Sequence, residues 1–190
     1  MNATEPSLSD KVVQLSQVLG ASDVPFAFGG ALALAYYAEP RATVDVDINV
    51  FVAPEAVDRV SETLGALGIR TSAADRRLVL RDGQVRLHWG VTPVDLFFAY
   101  DAFHFHAAQR VRPVPFGADT IPVLAPEDLL VCKVVFNRRK DWIDIEQMLL
   151  LNAGSLDLDD VRRWVVAMLG ADDDRTVRFE RAVREVLGDQ

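Results

Sequence analysis

Two aspartates, Asp45 and Asp47, stand one residue apart in the apolar run TVDVDINVFV. In a strand, residues i and i+2 point the same way, so the two carboxylates project about 7 Å apart from one face. They repel each other there, and a compensating cation is needed. Magnesium suits the pair, because it takes oxygen ligands and is usually held by one or two carboxylates plus substrate phosphates. A third acid, Asp95, lies in the apolar stretch PVDLFF and joins the pair if that stretch is a neighbouring strand. Three carboxylates on adjacent strands suit two metals, one activating an attacking oxygen and the other stabilising a leaving one.

A glycine pair, Gly29-Gly30, supplies the other half of such a site. It ends one apolar run, VPFAF, and opens another, ALALAYYA. Unencumbered glycine N–H groups at the start of a helix can approach a phosphate closely. Strand, Gly-Gly, helix, then strand with Asp-x-Asp reads as a site for a nucleoside triphosphate. Lys133 is a further candidate. It interrupts the apolar run LLVCKVVF in a chain that otherwise favours arginine, with lysine only at positions 11, 133 and 140. A compact ammonium binds phosphate as a point charge, whereas guanidinium favours planar partners. The alternative is a lysine whose stem packs on the core while its head reaches solvent.

The elements that must position these residues follow from periodicity. A helix is expected near residues 10–19, a short buried strand over VPFAF, a helix over ALALAYYA and a strand over TVDVDINVFV, with Val44, Val46, Ile48 and Val50 opposite the acids. Pro54 opens a helix that runs to about Leu67. Three strand-like pieces follow, RRLVLRD, VRLHW and PVDLFFAY, and RPVPFGADTIPVLA reads as a hairpin. From Pro126 the pattern turns helical through PEDLLVCKVVF, DWIDIEQMLLLN, LDLDDVRRWVVAML and a last helix through Arg184. RRKD is a plausible break between the first two of these helices, with Asp141 capping the second. The expected fold is α/β (α+β), a mixed sheet flanked by helices over residues 1–124, with a helical region over 125–190 packed on it.

Composition narrows the class. The chain has 190 residues, half of them apolar and a quarter charged, which fits one well-buried core. A net charge of -8 argues against a large non-specific nucleic-acid surface. It leaves room for a local basic site along Arg110, Arg112, Lys133, Arg138, Arg139 and Lys140, while acids concentrate in DLDD and ADDD. The N-terminal stretch MNATEPSLSD reads as no leader, and no apolar run reaches the roughly 18 residues of a membrane span. A single cysteine, Cys132, excludes an internal disulfide. It reads as a buried, inert thiol in a cytoplasmic protein. His104 and His106 lack partners at zinc-site spacing and read as surface or satisfied histidines, while Trp89, Trp142 and Trp164 read as packing residues.

The pattern GG(x)10R-x-T-x-D-x-D-I, formed by Gly29, Gly30, Arg41, Thr43, Asp45, Asp47 and Ile48, resembles the minimal nucleotidyltransferases of the DNA polymerase β superfamily. The stretch APEDLLVCKVVFNRRKDWIDIEQML is similar to the "PEDL…K…R-x-KD…D" segment of the AbiEii and MenT nucleotidyltransferase toxins. The resemblance implies a nucleotidyltransferase fold and magnesium held by Asp45, Asp47 and Asp95, with Asp95 helping to activate the acceptor hydroxyl. It implies nucleotide contacts from Gly29, Gly30, Arg41, Thr43 and Lys133. It also implies that Lys133 and a later aspartate, Asp141 or Asp144, complete the site. The implied reaction moves a nucleoside monophosphate from a nucleoside triphosphate to an RNA acceptor, the 3′ end of tRNA, in a toxin restrained by a partner antitoxin. Two rivals remain: nucleotidylation of a small molecule such as an aminoglycoside, or of a protein, and a binding module without catalysis. The cost of keeping three carboxylates in an idle site weighs against the last.

Overall fold

The computed structural model describes residues 5–188. Residues 1–4, part of the stretch read as lacking a leader, lie outside the described residues. The chain forms two compact units, one from Met1–Leu32 and Ala42–Leu124, the other from Ala33–Arg41 and Ala125–Gln190.

The first unit begins with helix α1 (Leu8–Ala21) and strand β1 (Phe26–Phe28), after which the short helix α2 (Gly30–Leu34) leads into the second unit. Strand β2 (Val46–Val50) returns, followed by a 3-10 turn at Pro54–Ala56, helices α3 (Val57–Gly65) and α4 (Ala73–Asp82), and strands β3 (Gln84–Trp89) and β4 (Thr92–Phe98). Helix α5 (Ala102–Ala108) and the hairpin β5 (Arg112–Phe116) and β6 (Asp119–Val123) complete it. The described residues form a six-stranded mixed sheet in the order β3-β4-β2-β1-β6-β5. Strands β2 and β4 are parallel, as are β1 and β6, and the remaining neighbours are antiparallel. The order follows from composition. Every residue of β1 is buried, as are Val46, Ile48 and Val50 of β2, so both lie centrally. Edge strand β5 carries Pro113 and Pro115, which have no N–H to donate and are tolerated at an edge.

A buried lysine fixes the β3–β4 turn. Lys11 of α1 donates to the carbonyl of Trp89 at 2.9 Å and to Thr92 Oγ1 at 2.8 Å, and pairs with Glu5. Its ammonium is thus satisfied by two oxygens of the hairpin and one carboxylate, which makes so deep a burial tolerable.

Three expected elements differ. RRLVLRD is the heart of helix α4, because Ser72 and Asp75 form a reciprocal capping box and Gly83, at φ +68°, closes the other end. The strand expected over TVDVDINVFV is shorter than its pattern; Val44 is 75 % exposed and Asp45 lies just before β2. Helix α2 stops at Leu34, and the chain continues through turns at Tyr36, Tyr37 and Ala38 towards Pro40, which bars helical continuation.

The second unit is built from helices α6 (Pro126–Phe136), α7 (Arg139–Asn152), α8 (Leu158–Leu169) and α9 (Asp174–Leu187). Helix α6 packs on the other three, and α9 on α7 and α8. Leu130, Val134, Ile145, Met148, Val161, Val165 and Phe179 fill its core. The acidic clusters DLDD and ADDD are helix starts. Asp157 accepts the N–H of Asp160 at the head of α8, and Asp173 accepts that of Arg175 at the head of α9. Cys132 is half-buried on α6 rather than buried. Among the described residues no helix is long and apolar enough to cross a membrane.

Candidate active site

The register of the first unit decides where the acids go. In the parallel pair β2/β4, Asp47 stands opposite Asp95, and in the antiparallel pair β3/β4, Arg86 stands opposite Asp95. Directly paired residues share a face, so Asp47, Asp95 and Arg86 form a row across three strands. Asp45, two residues before Asp47, projects at the end of the same row. Thr43 donates its hydroxyl to the Asp45 carbonyl at 3.2 Å and also to the Asp45 carboxylate, which fixes the residue where β2 begins.

Arg86 grips Asp95 through two parallel hydrogen bonds, Nε to Oδ1 at 2.7 Å and Nη2 to Oδ2 at 2.6 Å, and its Nη2 lies 3.7 Å from Asp45 Oδ2. The fork of the guanidinium matches a carboxylate in this bidentate mode. The Asp95 hydrogen bonds, then the charges of Asp95, Asp45 and Asp47, raise the Arg86 pKa well above its ordinary value. All three acids therefore act electrostatically on one cation. Hard oxygen donors on one sheet face are the type that a divalent ion of the magnesium class takes, although among the described residues the group whose ligand atoms all lie within 4.8 Å of one another is His106, Asp128 and Asp160.

The glycine pair is held against the same strand. The N–H of Gly29 donates to the Asp47 carbonyl at 2.9 Å, so this donor belongs to the sheet and is not free for a ligand. What Gly29 contributes is space: a Cβ there would lie 2.8 Å from Asn49 Nδ2. Gly30 has φ +53°, and a Cβ on it would overlap the Asp47 carboxylate. Only glycine combines that backbone with so close an approach.

A separate cluster forms within the second unit. Helix α6 ends at Asn137, in the left-handed conformation at φ +55°, and α7 starts two residues later. Asp141 accepts the Arg138 N–H at 3.0 Å and the Arg138 guanidinium at 2.7 Å, closing the first turn of α7. Trp142 donates its indole N–H to Asn137 at 2.7 Å, and Arg178 lies over the Trp142 ring. The break lets Asp144 meet Lys133, Nζ to Oδ2 at 2.6 Å, with both side chains 4 % exposed. Arg41 completes the cluster, donating from Nε and Nη2 to the two Asp144 oxygens at 3.3 and 3.2 Å.

Residues 2–165, a span that contains both clusters, match a family described as uncharacterised nucleotidyltransferases. The chain belongs to this family. No curated protein matches its sequence. The fold of this nucleotidyltransferase is shared with solved structures of low sequence identity. One is the antibiotic-resistance factor ANT(2'')-Ia, with a TM-score of 0.60, 15 % identity, and coverage of 87 % of this chain and 92 % of that one. An antigenic nucleotidyltransferase-like protein from Paracoccidioides brasiliensis has a TM-score of 0.50 at 17 % identity, covering 96 % of this chain and 97 % of that one. The lincosamide antibiotic adenylyltransferase LnuA, bound to lincomycin, has 0.50 at 13 %, covering 78 % and 98 %. The α+β class with a mixed sheet and flanking helices is thereby established for the nucleotidyltransferase.

Within it, Asp45, Asp47, Asp95, Gly29, Gly30 and Thr43 gather in the first unit, while Lys133, Asp144 and Arg41 gather in the second. Arg41 is engaged with Asp144, and Asp141 is engaged in capping. The basic stretch is not one free surface. Lys133 is buried and paired, Arg138 is committed to Asp141, and Arg139 and Lys140 remain exposed. His104 lies 2.6 Å from Asp101, and His106 receives a hydrogen bond from Arg110 at 3.0 Å. Trp142 is buried, but Trp89 and Trp164 are only half-buried. Sequence reasoning missed Arg86. The signal was present in the two-residue turn Gly90-Val91, because counting back from the pair Trp89 and Thr92 sets Arg86 opposite Asp95.

Proposed function

We propose that the protein is a magnesium-dependent enzyme that moves a nucleoside monophosphate from a nucleoside triphosphate to a hydroxyl at the 3′ end of an RNA, tRNA in particular. The observation that carries this reading is the strand register that sets Asp47 beside Asp95 on one face, with Asp45 at its end and the Gly29-Gly30 turn pressed against Asp47. Asp45, Asp47 and Asp95 would hold the metal. When bound, magnesium offsets the charge of the triphosphate and lowers the pKa of a hydroxyl that it contacts.

The side chains have separate tasks. Asp95 takes the proton of the acceptor hydroxyl; the oxygen then attacks the α-phosphorus, the bond to the β-phosphate oxygen breaks, and pyrophosphate leaves. Gly30 keeps the backbone low enough for the phosphates to approach. For Lys133, whose ammonium is held by Asp144, the resemblance to the toxin segment suggests phosphate binding. That same resemblance to AbiEii and MenT supports an RNA acceptor and action as a toxin restrained by an antitoxin. A second reading, transfer to a small hydroxylated antibiotic, draws on the fold shared with ANT(2'')-Ia and LnuA.

An acceptor panel separates the two readings. Each α-labelled nucleoside triphosphate is offered with magnesium to total tRNA, an aminoglycoside and a lincosamide. Label on tRNA alone supports the first reading, and label on a drug alone supports the second. For toxicity, induced wild type should slow growth and Asp45→Ala should not; equal growth would remove the toxin assignment and leave the chemistry standing.

A further inference from the structure

Arg86 belongs to no motif of the sequence, yet from edge strand β3 it closes one end of the acidic row, directly opposite Asp95. Its strand position is rigid, because Val85 and Leu87 on either side are buried in the sheet. Its guanidinium covers both oxygens of Asp95 and reaches 3.7 Å from Asp45. These carboxylate lone pairs are the ones a divalent ion would use, and an oxygen cannot fully serve both cations at once. The Arg86 side chain is 56 % exposed. It can therefore leave the acids for solvent at small cost, as the buried Lys11 and Lys133 cannot.

We propose that Arg86 is an internal counter-ion that competes with the divalent metal for Asp45 and Asp95. This rests on the reading that those carboxylates hold a metal. With Arg86 in place Asp45 and Asp95 share a counter-charge without an ion, and affinity for free metal is held down. A metal arriving with a triphosphate brings phosphate ligands of its own, which tips the competition against Arg86. Arg86 is thus a positioning residue that couples metal loading to nucleotide arrival.

The test is a titration of the full chain with manganese as a spectroscopic stand-in for magnesium, without nucleotide, followed by electron paramagnetic resonance. Arg86→Gln removes the charge, Arg86→Lys keeps the charge but loses the fork, and Arg81→Gln removes an exposed arginine that pairs with Asp82 instead. Arg86→Gln should bind manganese roughly three- to tenfold tighter than wild type, the range for one partly exposed bidentate pair. Arg86→Lys should fall between, and Arg81→Gln should match wild type. Equal or weaker binding by Arg86→Gln and Arg86→Lys would overturn the competition and leave the metal site standing, as would an equal gain in Arg81→Gln. No binding by any of the four proteins would overturn the competition and the metal reading together. Circular dichroism on each variant reports folding independently of the ion.

Discussion

At Gly30 the backbone and the Asp47 carboxylate occupy space that no other residue would leave open. Gly30→Ala should cost about 1–2 kcal/mol of stability from the left-handed φ alone. It should also displace Asp47 and abolish nucleotidyl transfer. Urea unfolding and label transfer measure the two effects separately. Lys133 and Asp144 make a different case, a buried pair whose halves depend on each other. Lys133→Met should destabilise by about 3 kcal/mol, because it leaves Asp144 with Arg41 as its remaining cation in the cluster. Adding Asp144→Leu should recover much of that loss without restoring transfer. Equal stability of wild type and Lys133→Met in urea would refute the pairing. The three carboxylates, the glycine pair and Lys133 were legible because each violates its apolar context. Arg86 was passed over, because an arginine on an exposed strand face violates nothing locally and shows its partner only when the β3–β4 turn is counted out.

Elements were legible where one signal ruled and misread where two competed. RRLVLRD holds a short apolar run, Leu78-Val79-Leu80, of the kind that also marks a strand, but the Ser72 and Asp75 capping box and Gly83 act on the whole segment and make it helical. The same capping signals were visible in TSAAD and could have overruled that reading. In the helical unit the acidic clusters stood out in the sequence only as local charge, and their physical role is to satisfy helix N-termini. Asp173 shows the consequence for pH. Its hydrogen bonds to the Arg175 side chain and backbone hold its carboxyl down at about 2, against an ordinary 3.8. A depressed folded-state pKa stabilises above the unfolded value, and that stabilisation is lost as pH falls through the folded one. Between about pH 4 and pH 2, Asp173→Asn should therefore lose less stability than wild type, read from thermal unfolding at each pH. An identical acid limb would refute the contribution.

Across the whole molecule, a net charge of -8 coexists with a proposed polyanionic acceptor. That combination asks for recognition by a few placed groups rather than by a basic field, and the exposed Arg112, Arg139 and Lys140 are candidates for it. The α+β class could be read from the chain because the order strand, Gly-Gly, helix, Asp-x-Asp strand is local. The sheet order could not, since β1 pairs with β6 almost a hundred residues away and no local signal encodes that partnership. The most direct test of the proposed chemistry is to follow both ends of the nucleotide. Wild type and Asp47→Ala are each given α-labelled or γ-labelled nucleoside triphosphate with magnesium and total tRNA. The expected result is α label on the RNA and γ label released as pyrophosphate, with both signals lost in Asp47→Ala; γ label on the acceptor, or transfer unchanged in Asp47→Ala, would contradict it.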